Sequence, residues 1–145
     1  MITKAIQRCL DDAKRKGWDK TYWAFDIHGT LLLPTYKTGV ASTEFYPYAK
    51  ETMQIISRQK DIIKILFTCS YPEEIATYLD YFKKHEIYFD YINKNPDVCA
   101  GAYGHYESKF YFNVLFEDKA GFDPLTDWEQ VLLLLKENGN DKKFL

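Results

Sequence analysis

Apolar positions along the chain change period several times, and each change marks an element. Ile2, Ala5, Ile6, Cys9, Leu10 and Ala13 recur at three-and-four spacing, which predicts an amphipathic helix with Gly17 as its stop. Tyr22-Trp23-Ala24-Phe25 is apolar without alternation, as a strand buried on both faces reads. Residues 31–46 break the pattern with Pro34, Gly39 and several threonines, and read as a hairpin or flap. Pro47 reads as a first helical residue, with Ala49, Met53 and Ile56 as the inward stripe of that helix. Ile62 to Phe67 (IIKILF) is a second buried strand, ending at Thr68-Cys69-Ser70.

Ser70 and Glu73 have the spacing of a capping box around Pro72, and Ile75, Tyr78, Leu79 and Phe82 continue the helix behind it. Tyr88 to Ile92 is a third strand, closed by Asn95-Pro96, and Phe110 to Phe116 a fourth. Asn113 in the middle of the fourth predicts an edge position or a specific hydrogen-bond partner. Leu125, Trp128, Val131, Leu132 and Leu135 form a last helix, and residues 139–145 read as a flexible tail. Strands alternating with helices predict one α/β domain over residues 1–145: a Rossmann-like, three-layer, mostly parallel sheet of about four strands with helices on both faces.

In such a sheet ligands bind outside the carboxyl ends of the strands. Asp26, Thr68 and the Glu117-Asp118 pair all fall at strand ends. A carboxylate can attack phosphorus and divide one hard displacement into two easier ones. A hard cation held by carboxylates, a main-chain carbonyl and water would neutralise the anionic substrate. Asp26 is the candidate nucleophile, Thr68 supplies a hydroxyl, Lys109 an ammonium and Asp118 a second cation-binding carboxylate.

Composition narrows the function classes. The 145 residues suffice for one core and include 12 Tyr and 10 Phe, rings suited to core rims and contact surfaces. A net charge of −2 with no basic stripe argues against nucleic-acid binding. Three cysteines without metal-ligand spacing read as thiols in a reducing compartment. With no signal-like start and no membrane-length apolar run, they point to the cytoplasm. Cys69 has no arginine six residues on, so it does not read as a phosphatase cysteine.

The ordered pieces AFDIHGTL, IIKILFTCS and SKFYFNVLFEDKAGFD together resemble the haloacid dehalogenase superfamily of phosphatases and phosphotransferases. The resemblance runs from about Tyr22 to Asp123. It implies Asp26 as nucleophile and Mg²⁺ ligand, with Thr68 binding the transferred phosphate. Lys109 would steady that phosphate, ahead of Lys94 and Lys119 as rivals for the role. Asp118 and the His28 main-chain carbonyl would bind the metal, and Glu117 would join them or stand behind them. Asp123 would be an outer carboxylate by that resemblance, although before Pro124 it reads as a helix or turn cap.

Two positions depart from the family pattern. His28 stands where an acid–base aspartate is usual, and Glu117 where small members commonly carry Asp. An imidazole can protonate a leaving oxygen or activate water near neutrality. His28 therefore either replaces the aspartate or marks altered chemistry. The expected function is a Mg²⁺-dependent phosphatase or phosphotransferase with an aspartyl-phosphate intermediate. The alternative is a catalytically impaired binding or regulatory module. The chain has no room for a separate cap domain, so the site is expected to be open to a protruding phosphate or closed by a second subunit. Tyr36, Phe45, Tyr46, Tyr71, Tyr103 and Tyr106 are candidates to line its mouth or to pack locally.

Overall fold

A computed structural model describes residues 1–37, 39–99, 101, 104–106 and 108–139. Four helices and four strands follow one another: α1 (Ile2–Lys16), β1 (Thr21–Phe25), α2 (Ala49–Ser57), β2 (Ile62–Leu66), α3 (Pro72–Lys84), β3 (Tyr91–Ile92), β4 (Val114–Phe116) and α4 (Asp127–Asn138). The strands form one sheet in the order β3-β2-β1-β4, every pair parallel, flanked by helices in Rossmann-like fashion. Chain order along the sheet reverses between β3 and β4, so β1 sits centrally with its carboxyl end between those of β2 and β4. No helix among the described residues is long and apolar enough to cross a membrane.

Each element has a local cause. The apolar stripe of α1 buries Ile6, Cys9 and Leu10, and Gly17 ends the helix in the left-handed region at φ 68°, a conformation that costs glycine little. Trp23 and Phe25 of β1 lie beside Val114 and Phe116 of β4 in register. Phe25 and Phe116 stack at 4.5 Å, and Phe116 stacks in turn on Trp128 of α4 at 5.4 Å. One contiguous buried cluster joins Ile6 of α1, Met53 and Ile56 of α2, Tyr78 and Phe82 of α3 and Trp128 of α4 to these strands. Burying a large apolar side chain contributes about 1.5–3 kcal/mol. The stack from β1 through β4 to α4 is therefore a principal support for the sheet edge that carries the acidic pair.

Three local expectations are corrected. Ser70 and Glu73 form no capping box: α3 is capped at Tyr71 without a side-chain bond. Ser70 instead spends its amide and hydroxyl on the Thr68 hydroxyl, at 3.2 and 3.0 Å. Pro47 lies in the turn before α2, which begins at Ala49 after Tyr48 at φ 67°. The third and fourth strands are shorter than their apolar runs, because aromatic character in 88–90 and 110–112 reflects packing against rings rather than ladder pairing.

Asn113 meets both of its expectations. It abuts β4 at the sheet edge, and its side-chain oxygen accepts the Tyr22 amide at 2.8 Å while its own amide donates to the Tyr22 carbonyl. The flap is a hairpin-like excursion. Leu33 donates to Glu44, Tyr46 donates to Leu31, and Leu32 bridges Phe45. Tyr103 and the tail beyond Gly139 lie outside the described residues.

Candidate metal and phosphate site

Asp26 directly follows β1. Its amide donates to the Phe116 carbonyl at 3.0 Å, which locks the aspartate against the end of β4. The chain then winds into a tight turn in which the amides of Thr30, Leu31 and Leu32 all donate to the Ile27 carbonyl. Gly29 sits in that turn at φ 76°. A Cβ added there would lie 2.8 Å from Asp118 Oδ2, closer than side chains approach one another. The missing side chain is therefore what lets the Asp118 carboxylate close over the turn.

Thr30 ties the two halves of the site together. Its buried hydroxyl donates to Asp26 Oδ2 at 3.5 Å and accepts the Asp118 amide at 3.2 Å. Its carbonyl accepts Trp128 Nε1–H from α4 at 2.7 Å. Beyond β4, Glu117 and Asp118 enter a single 3₁₀ turn (Asp118–Ala120), and the Glu117 carboxylate accepts the Lys119 amide at 3.1 Å.

Asp26, Glu117 and Asp118 thus converge, and each offers an oxygen within 4.8 Å of the other two. Three carboxylates at this spacing repel unless a proton or a cation comes between them. The Asp26 carboxyl shows the strain: burial first, and then the charge on Asp118, push it up to about 6. The Ile27 amide, the Thr30 hydroxyl and the Lys119 ammonium oppose that rise. Glu117 is also raised, by burial and then by a side-chain hydrogen bond with Asp118. An all-oxygen donor set short of positive charge fits a hard divalent cation such as Mg²⁺, which takes one or two carboxylates and keeps several waters.

Thr68 follows β2 on the same carboxyl edge. Its backbone is held in a way the sequence did not announce: the Asn93 side chain accepts the Thr68 amide at 2.9 Å and donates to the Thr68 carbonyl at 2.7 Å. Asn93 does this from just past β3 at φ 53°. The Thr68 hydroxyl is engaged with Ser70.

The charge of Lys119 lowers the Asp26 carboxyl slightly, as the smallest of the influences on it. Lys109 is exposed and shares a depression of about 280 Å³ with Asn93, Lys94 and Tyr106. Asp123 is a cap: its carboxylate accepts the Leu125 amide and its carbonyl accepts the Asp127 amide ahead of α4.

His28 turns toward α3. Its Nε2 lies 2.7 Å from the Tyr78 hydroxyl, with the two rings edge-on, and burial holds its pKa below the usual value while Glu74 works the other way. It lines a cavity of about 710 Å³ between the flap and the first turns of α3, together with Tyr36, Lys37, Glu74, Thr77 and Tyr78. Of the aromatic residues expected at the mouth, Tyr36 is almost wholly exposed in that cavity's wall, and Tyr71 is exposed. Tyr46 lies in the field of Asp118, which helps raise its phenol above the ordinary range after burial and Tyr36 have done so. Phe45 packs locally against Tyr81, Phe82 and the half-buried His85.

The motif AFDIHGTL places Gly29 and Thr30 beside Asp26 in the sequence without giving either a role, and sequence reasoning missed Tyr78 and Asn93 as parts of this arrangement.

Fold and site together define a parallel α/β protein with an acidic cluster at the carboxyl edge of its sheet. A solved structure described as that of a conserved protein coded by a locus from Bacteroides thetaiotaomicron is similar, with a TM-score of 0.62 at 19% identity over 82% of this chain and 92% of that chain. At that identity the likeness concerns the fold alone. No protein-family model and no curated protein matches the chain.

Proposed function

We propose that the protein is a Mg²⁺-dependent phosphatase or phosphotransferase of haloacid dehalogenase type, working through an aspartyl phosphate on Asp26. The observation that carries this reading is the convergence of Asp26 with Glu117 and Asp118 from two strand ends that are distant in sequence. Bound among these carboxylates, the cation would neutralise charge on an incoming phosphate.

The chain's own groups supply the rest. An Asp26 oxygen attacks phosphorus, the ester oxygen departs with its electron pair and takes a proton, and water then cleaves the acyl phosphate to regenerate the carboxylate. Thr68, at the neighbouring strand end and clamped by Asn93, would turn its hydroxyl from Ser70 to the phosphate oxygens. Lys109 would steady the phosphate, and Lys119, whose charge lowers the Asp26 carboxyl slightly, is a rival for that role. Lys94 and Lys109 stand farther along the rim with their shared depression. His28 faces the flap cavity, where a leaving group would lie, and its imidazole takes the acid–base role. The main-chain carbonyl of His28 completes the proposed metal ligands. The open rim suits a protruding phosphoester or a neighbouring subunit as lid. Three cysteines outside any disulfide support a reducing, cytoplasmic setting.

The second reading, a module that binds without turnover, draws support from one observation: His28 Nε2 is occupied by Tyr78 rather than free. Hydrolysis of an aryl phosphate with and without Mg²⁺, for the wild type and Asp26→Asn, separates the two. The enzyme reading expects metal-dependent release of phosphate that Asp26→Asn abolishes. Turnover surviving in Asp26→Asn would overturn the covalent route, and silence across a broad phosphoester panel would favour the binding module.

A further inference from the structure

Two tyrosines one turn apart on α3 hold the returning leg of the flap. The Tyr81 hydroxyl donates to the Thr43 carbonyl, and the Tyr78 hydroxyl accepts the Ser42 amide at 3.0 Å. The Tyr78 hydroxyl also lies 2.7 Å from His28 Nε2, whereas Tyr81 sets its ring against Phe45 and His85. Its ring is 2% exposed and belongs to the central cluster, so the hydroxyl has little freedom to move. A phenol has one hydrogen to give and lone pairs to receive with. The Ser42 amide already donates into that oxygen, so the phenolic hydrogen is free for the imidazole. That arrangement leaves Nε2 as the acceptor and puts the imidazole's own hydrogen on Nδ1.

From this geometry we infer that Tyr78 is a positioning residue that couples the flap to His28. One buried hydroxyl fixes the tautomer and direction of the imidazole and simultaneously seats the flap at Ser42. Displacing the flap withdraws the amide that commits the phenolic hydrogen to the imidazole, and turning the imidazole takes away that hydrogen's acceptor. The catalytic consequence rests on the phosphatase reading above; the coupling itself does not.

Three variants separate these roles. Tyr78→Phe keeps the ring and removes the shared hydroxyl, Tyr81→Phe removes the flap contact alone, and His28→Ala removes the imidazole. Imidazole ¹⁵N spectra recorded at about pH 8, where histidine is neutral, report the tautomer directly. Wild type and Tyr81→Phe are expected to show a bare Nε2 and a protonated Nδ1 at His28, and Tyr78→Phe to lose that preference. The Ser42 amide should exchange with solvent about tenfold faster in Tyr78→Phe, while amides of β1 and β2 keep their protection and certify the fold.

In turnover, Tyr78→Phe should lower kcat about tenfold with little change in KM, and have no further effect in the His28→Ala background. An unchanged tautomer, an unchanged Ser42 amide, or a kcat loss that persists in full without His28 would each overturn the inference. A wild type inert on every phosphoester would remove the phosphatase reading only, since the spectra and the exchange rates still decide the coupling.

Discussion

The Thr30 hydroxyl accepts the Asp118 amide at 3.2 Å, joining the turn after β1 to the turn after β4 across 88 residues of sequence. The same oxygen reaches Asp26, so one buried side chain sets the spacing between the proposed nucleophile and a proposed cation ligand. Replacing Thr30 with Val keeps the shape and removes both bonds. Groups that support ligands in this way typically govern affinity or activity by about 10–100-fold. Thr30→Val is expected to lose that much in Mg²⁺ affinity, measured by calorimetry, and Thr30→Ser to recover most of it.

Gly29→Ala meets two obstacles at once. The backbone sits at φ 76°, and the new Cβ would fall 2.8 Å from Asp118 Oδ2. A left-handed alanine costs roughly 1–2 kcal/mol, and the contact also drives the carboxylate away. Thermal unfolding should show that loss, and Mg²⁺ should no longer raise the melting temperature. Gly39→Ala shares the positive φ but meets nothing within 4 Å, so it should cost stability and leave the metal response intact.

Asp26 makes stability depend on pH in an unusual direction. Its folded carboxyl sits at about 6 against an ordinary 3.8, so the native state holds the proton more tightly than the unfolded chain does. Without a divalent cation, ionising it works against the fold. The penalty is absent below about pH 4, grows between pH 4 and 6, and is complete above pH 6. Asp26→Asn should therefore stabilise the cation-free protein at pH 7.5 by roughly 1–2 kcal/mol, after allowance for solvent screening, and the gain should vanish near pH 4. At the proposed metal site protons and Mg²⁺ would compete for this oxygen, so stabilisation of the wild type by Mg²⁺ should fade as pH drops through about 6. Melting curves across pH, with and without the ion, test both signs.

Lys64 lies in β2, buried within IIKIL. Its ammonium donates to the Ile62 and Gln59 carbonyls at 2.9 and 3.3 Å and pairs with the half-exposed Asp90 at 3.6 Å. Lys64→Ala removes the stem and the partner of two carbonyls, and is expected to cost about 2 kcal/mol in denaturant unfolding. Asp90→Asn keeps an acceptor for the Lys64 amide and should cost less than half as much.

Much of the fold was legible because strand and helix periods differ. The runs at 22–25 and 62–67 and the stripe of Ile6, Cys9 and Leu10 stand where their spacing put them, save that the second strand ends at Leu66 and leaves Phe67 exposed. Edge strands were harder. In 88–92 and 110–116 the aromatic residues serve ring packing as well as pairing, and a single chain does not separate the two uses. The acidic cluster could be read because strand ends share one rim in a parallel sheet. Its supports could not. Asn93 clamping Thr68 and Tyr78 reaching His28 are meetings of residues 25 and 50 positions apart, and nothing local marks them.

Trp128 donates from α4 to the carbonyl of Thr30, a residue laid down 98 positions earlier. During synthesis, strand β1 and its aspartate leave the ribosome long before either β4 or the indole that braces the turn. A nascent chain cut short of α4 therefore lacks the indole that braces the turn through which Thr30 reaches Asp26 and Asp118.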